Sequence, residues 1–174
     1  MLGVWSPDPV LSAVAPIGLA AAAGTALIVD MVATGRASRT LADLVAEGPT
    51  LDELTPGRRG IALLPGGKVD PEQAVELIGR LGEHWPAVVV RLPGADLSFP
   101  SVPAIPLFPG RLATLQIPPA GVWQPLGGSP EPPGPGPVLP RLRAGTVRRM
   151  LAGQLPRRSR WVEAWRRVWE MPWA

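Results

Sequence analysis

"SPDPVLSAVAPIGLAAAAGTALIVD", Ser6 to Asp30, is the stretch whose reading decides the fold. It carries no charge between Asp8 and Asp30, and it follows a short apolar start, "MLGVW". Val10 to Val29 is twenty uncharged residues, long enough to cross a bilayer as a single helix. The other division falls at Gly24. Pro9 suits the first turn of a helix behind Asp8, Gly24 suits its stop, and "TALIVDMV" (25–32) then reads as a buried parallel strand. Composition favours this division. The run is dominated by Ala and Gly, contains Pro16, Gly18 and Gly24, and lacks the aromatic belt and basic anchor of a first span or signal peptide. Pro16 is expected to bend the helix. An integral membrane protein spanning with residues 10–29 stands as an alternative.

Outward from this stretch the alternation repeats. Thr40 and Asp43 form a capping-box pattern ahead of "TLADLVAEG", and Thr50 and Glu53 do the same for "TLDEL". "GIALL" reads as a strand. Asp70-Pro71-Glu72-Gln73 opens a helix whose Ala74, Leu77, Ile78 and Leu81 recur at helical spacing. "AVVV" (87–90) is a further buried strand, and "AIPLF" and "LATLQI" are weaker candidates. Strands and helices alternating at this spacing predict an α/β fold, an open, mostly parallel sheet with helices on both faces and a C-terminal helical tail.

This order of signals resembles that of MinD/ParA-type ATPases, which include the CpaE/TadZ-type localisation proteins of bacterial pilus and secretion systems. The resemblance spans residues 1–95 and is carried by "MLGVWS", the helix to Gly24, "TALIVD", "TLADLV", "TLDEL", "GIALLPGG", "AVELIGRLGEHW" and "PAVVVRLP". It implies a truncated P-loop NTPase-like domain. The family's phosphate loop, of the type KGGxGKT, wraps phosphates in backbone N–H groups, neutralises them with lysine and holds Mg²⁺ with threonine. Here Ser6-Pro7-Asp8-Pro9 stands in its place. Two prolines remove two donors, Asp8 adds a negative charge, and there is no lysine. Asp30 matches the family pattern, but the second acidic position falls on Val32, and the Walker B aspartate position falls on Arg91. Loss of loop, lysine and metal carboxylate together removes the means of stabilising phosphoryl charge. The expectation is a protein that is not an enzyme and takes no cofactor or metal. The competing reading is a nucleotide-binding ATPase with a rearranged phosphate site, in which Lys68, Arg91 or a tail arginine replaces the lost lysine.

Other chemistry is sparse. The chain of 174 residues has no cysteine, so disulfides, thiolate catalysis and cysteine-ligated zinc are excluded. His84 is the only histidine and sits at a predicted helix end beside Trp85, where capping or surface roles suit it. Gly66-Gly67-Lys68 between strand and helix offers a second glycine-rich loop, but Asp70 and Glu72 follow it, and turn chemistry explains it.

Charge divides the chain. Residues 1–140 carry eight basic and twelve acidic side chains, whereas residues 141–174 carry nine Arg against Glu163 and Glu170. Between them lies Pro118–Pro140, in which fourteen of 23 residues are Gly or Pro. The organisation expected is an α/β domain over 1–117, a Pro/Gly-rich linker or strap over 118–140, and a basic, Trp-rich helical segment over 141–174. In that segment "GTVRRMLAGQL" reads as a short helix with Val147, Met150 and Leu151 inward. Beyond it, Trp161, Trp165 and Trp169 recur every four residues along one face, flanked by Arg158, Arg160, Arg166 and Arg167. The stripe completes the core, lies in a membrane interface on anionic lipid, or docks on a partner protein. The resemblance adds to the second, because MinD-type proteins attach to membrane through a C-terminal amphipathic helix. It implies a cytoplasmic assembly or localisation factor that touches a pilus or secretion ATPase, a septum-positioning component or the inner membrane surface. Trp161, Trp165, Trp169, Arg158, Arg166 and Arg167 are then the expected contact residues. No reading helix or stacking platform for nucleic acid is recognisable.

Overall fold

The computed structural model describes residues 1–32, 39–55, 60–95, 99–108, 118–127, 131–154 and 159–173. Over these the chain runs β1 (Leu2–Trp5), α1 (Pro9–Ala23), β2 (Ala26–Asp30), α2 (Leu41–Glu47), α3 (Leu51–Leu54), β3 (Ile61–Pro65) and α4 (Pro71–His84). It continues with β4 (Val88–Arg91), β5 (Ser101–Leu107), β6 (Val122–Pro125), α5 (Ala144–Leu151) and α6 (Arg160–Trp169). The strands form one open sheet in the order β3-β2-β4-β1-β5-β6, with every neighbouring pair parallel. The α/β expectation is met.

The opening stretch divides as the glycine demanded. Asp8 caps α1 by accepting from the Leu11 N–H at 2.7 Å, and Pro9 occupies the first helical position, where its missing N–H costs nothing. Gly24, at φ 89°, ends the helix and donates to the Ala20 carbonyl. The chain then enters β2, whose five residues are all buried between β3 and β4. Residues 10–29 are therefore a helix and a central strand, which corrects the alternative of one membrane-spanning segment. Among the described residues no helix is long and apolar enough to cross a membrane.

Alternation along the strands builds a core on each face. Leu2, Val4, Ala26, Ile28, Val89, Val102 and Ala104 pack with Leu11, Val14, Ala15 and Leu19 of α1 and with Trp161, Trp165 and Val168 of α6. On the other face Leu27, Val29, Leu64, Val88 and Val90 pack with Leu41 and Leu44 of α2 and with Leu77, Ile78 and Leu81 of α4. A smaller cluster of Ile105, Leu107 and Trp123, with Trp5 against it, covers the second face of β5 and β6.

The second half of the chain joins the same sheet and the same core. Of the linker and the strap expected over 118–140, the structure has the strap, and the same stretch also supplies the sixth strand, Val122–Pro125, with Trp123 fully buried. Residues 135–139 then lie along the outer edge of that strand. Gly121 and Trp123 donate to the carbonyls of Pro135 and Pro137, and Leu139 donates back to Trp123. A strap this close tolerates only glycine at its tightest point. Gly136 has φ 133°, and a Cβ there would lie 1.8 Å from the Gly121 carbonyl oxygen. The 141–174 segment is likewise part of the same core, since α5 and α6 both pack on α1. The expected strand "LATLQI" (112–117) and the candidate contact residue Arg158 lie outside the described residues.

Candidate functional site

In an open parallel sheet, ligands bind at the carboxyl ends of the strands, where successive connections diverge. Here β1 is central, with β4 on one side and β5 on the other, and the turn from β1 into α1 occupies that position. The turn is Ser6-Pro7-Asp8, and its polar groups satisfy one another. The Asp8 N–H donates to Ser6 Oγ at 3.2 Å, and the Asp8 carboxylate takes the Leu11 N–H of the first helical turn. The helix N-terminus thus already has its anion, a covalently attached carboxylate, where a bound phosphate would otherwise use the helix dipole. Pro7 and Pro9 offer no N–H.

Beside this turn the sheet carries an ion pair. Asp30 and Arg91 end β2 and β4, stand opposite each other in register, and point to the face that α1 covers. Arg91 Nη1 donates to Asp30 Oδ2 at 2.9 Å, and its Nε donates to Ser12 Oγ of α1 at 3.3 Å. The second carboxylate oxygen, Asp30 Oδ1, accepts the Val32 N–H at 3.0 Å. Both side chains are largely buried, 11% and 18% exposed for Asp30 and Arg91. Arg91 and Asp30 therefore neutralise each other at the carboxyl ends of two neighbouring strands. Val32 lies in the turn after β2 and is exposed. Around the pair runs a cleft of 340 Å³ whose walls are mostly apolar, including Pro16, Ile17, Ile61, Leu63 and Met150. Among the described residues no group of three acidic or histidine side chains is placed to hold a metal ion.

The Gly66-Gly67 loop has a packing explanation. A Cβ on Gly66 would meet the Asp30 carbonyl oxygen at 3.2 Å, and one on Gly67, at φ 70°, would meet Thr40 Oγ1 at 2.9 Å. Both glycines let the turn after β3 pass against the ends of β2 and α2. Asp70 caps α4 by accepting from Glu72 and Gln73, so that helix start is occupied as well. Lys68 is exposed.

At the other end of the chain, α6 lies across α1, so of the three readings of the tryptophan stripe the structure has core packing for Trp161 and Trp165, which are not contact residues. Trp161 and Trp165 are 3% and 0% exposed, and both rings sit over Gly18. A Cβ at Gly18 would come within 2.4 Å of the Trp161 ring and 2.6 Å of Trp165 Nε1. The glycine is a notch in α1 that receives two indoles. They meet edge to face with centroids 5.5 Å apart. Trp161 Nε1 donates to the buried Gln124 Oε1 at 2.6 Å, and Gln124 in turn donates to the carbonyls of Pro125 and Pro140. Trp169 is half-buried and donates to the Leu19 carbonyl of α1 at 3.0 Å. The stripe faces inward because a sheet face with α1 alone leaves β5 and β6 uncovered, and burying the Trp161 and Trp165 indoles there is worth more than exposing them. Arg166 and Arg167 remain exposed, Arg166 paired with Glu163 at 2.8 Å. Leu151, expected to face inward with Val147 and Met150, is 58% exposed; only Met150 of this short helix is buried.

Of the sequence-derived positions, the fold brings Asp30, Val32 and Arg91 together. Ser12 and the Asp30–Arg91 pairing were not anticipated. The available signal was two opposite charges ending two otherwise apolar strands. Comparison of the chain with models of known protein families, with curated proteins and with solved structures finds no match to any of them.

Proposed function

We propose that this chain is a non-catalytic, MinD/ParA-like assembly or localisation factor, one that keeps a nucleotide-binding architecture without nucleotide chemistry. The observation that carries the reading is the Asp30–Arg91 pair. A compensated cation at the carboxyl end of the strand beside β1 supports it, because in a MinD/ParA-like site that end would have to carry a metal-binding carboxylate. The Asp8 cap supports it, since a carboxylate on the α1 amides repels a triphosphate and removes its donors.

Function in this reading is exerted by contact. The partner is a protein of a pilus, secretion or septum-positioning apparatus, met on the cytoplasmic side of the membrane. With the tryptophans inward, the contact belongs to the arginines, including Arg166 and Arg167 on the outer side of α6.

Calorimetry with ATP and ADP, with and without Mg²⁺, tests the non-catalytic half. No Mg²⁺-dependent binding and no hydrolysis above the buffer rate are expected. Saturable binding that requires Mg²⁺ would overturn it in favour of a rearranged phosphate site. Recovery of a pilus or secretion ATPase on the immobilised chain tests the contact half, with the Arg166→Glu/Arg167→Glu variant expected to recover less.

A further inference from the structure

The last strap residues, α5 and the first turn of α6 enclose an open cleft of 820 Å³. Four arginines line it. Arg141 and Arg143 come from the strap end and the α5 cap, Arg149 from α5 and Arg160 from α6. All four are exposed, and among the described residues no carboxylate lines the cleft. Among the described residues, none of the four has an ion-pair partner, whereas Arg39, Arg80, Arg91 and Arg166 each do. Four like charges around one concavity repel one another and focus a positive potential into it. Nothing in the fold requires that cost.

We infer that this cleft receives an acidic peptide segment of a partner protein, its carboxylates paired with Arg141, Arg143, Arg149 and Arg160. Guanidinium forks match carboxylates two bonds at a time, and arginine clusters are a recurrent means of reading acidic motifs. The remaining lining distinguishes this occupant from a compact phosphate. Leu142 and Trp161 offer apolar surface, and Thr146 and Ser159 offer hydroxyls. That mixture suits carboxylates carried on a peptide with aliphatic stems, and the volume exceeds what a small inorganic anion fills. The inference rests on the proposed function only for the existence of a protein partner; it is independent of whether nucleotide binds.

Fluorescence anisotropy with a labelled hexaglutamate peptide tests it on the full chain. Saturable binding that weakens with salt is expected, reduced about tenfold or more in Arg143→Ala/Arg160→Ala. The Lys68→Ala/Arg80→Ala variant removes the same charge at two exposed positions outside the cleft and is expected to bind like the parent. Equal losses in the two double variants would show diffuse attraction and overturn the site. Inorganic tripolyphosphate that displaces the peptide at lower concentration than unlabelled hexaglutamate would overturn the class of ligand. Thermal unfolding of both variants guards against misfolding. Arg143→Ala/Arg160→Ala should keep or raise the parental Tm, because it relieves repulsion; if it unfolds, Arg143→Gln/Arg160→Gln replaces it. Absence of peptide binding overturns the inference while leaving the nucleotide result untouched.

Discussion

Arg91 and Asp30 join the carboxyl ends of β4 and β2 through one 2.9 Å hydrogen-bonded ion pair on the α1 face of the sheet. Neither group is well solvated, and Ser12 bonds the guanidinium while the Val32 N–H bonds the carboxylate. A buried pair of this kind is asymmetric in its energetics. Its net contribution against an apolar pair is small, but loss of one partner strands the other charge.

The pair should therefore respond to single and double substitution differently. Asp30→Ala leaves a half-desolvated guanidinium and is expected to cost about 3 kcal/mol, or roughly 10 °C in Tm. Arg91→Leu strands the carboxylate at similar cost. The double variant Asp30→Val/Arg91→Leu should lose less than either single change, giving a coupling energy of at least about 1 kcal/mol in denaturant titrations. Additive losses in that cycle would mean the two side chains act separately.

The indole stripe makes a second prediction, one that decides between packing and contact. Trp165→Ala removes a fully buried ring from the α1–α6 interface and is expected to destabilise by about 3–5 kcal/mol. Gly18→Val places branched atoms where two indoles now lie, so it should lower stability by about 2 kcal/mol or more despite the better helix propensity of valine. Equilibrium unfolding checks both. If Trp165→Ala kept the parental Tm and lost binding to vesicles or partner, the stripe would be a contact face after all.

How far the fold could be read in advance varies along the chain, and the reasons are physical. Local signals were legible. Asp8-Pro9, Thr40 with Asp43, and Asp70 each act through hydrogen bonds within three residues, so sequence alone locates those helix starts. Strands β2, β3 and β4 were legible from unbroken apolar runs flanked by turns. β6 was not, because Pro118, Pro119 and Pro125 around Val122-Trp123-Gln124 suppress a strand signal that only pairing with β5 restores. The spacing of Trp161, Trp165 and Trp169 identified one apolar face correctly. What covers a face is a long-range fact, here the notch at Gly18, more than 140 positions away in sequence. Arg91 was legible as a departure from a pattern; its partnership with Asp30 required the strand register.

Acid should loosen the edge of the sheet beside β3 first, and the cause is a cluster around Arg39. That side chain pairs with Glu53 at 2.7 Å, with Glu47, and with the Gly48 carbonyl, tying α2 to α3. The Arg39 hydrogen bond, then the Thr50 N–H, hold the Glu53 carboxyl below the usual carboxylate range. Asp43 is held low as well, by the Thr40 hydroxyl and then the Thr40 N–H of its capping box. A folded-state pKa below the unfolded one means that the stabilisation is complete above the unfolded value, about 4 for these groups, and disappears as pH falls through the folded value. The linked loss of stability is thus confined to pH below about 4, and neutral pH is unaffected. Glu53→Gln removes the charge pair while keeping the side chain's shape. It is expected to lower Tm at pH 7 by about 1–2 °C, as suits a partly exposed pair, and to flatten the fall of Tm between pH 4 and pH 2. Thermal unfolding across pH 2–7 for parent and variant measures both. Parallel curves, displaced but equally steep below pH 4, would assign the acid sensitivity to other carboxylates.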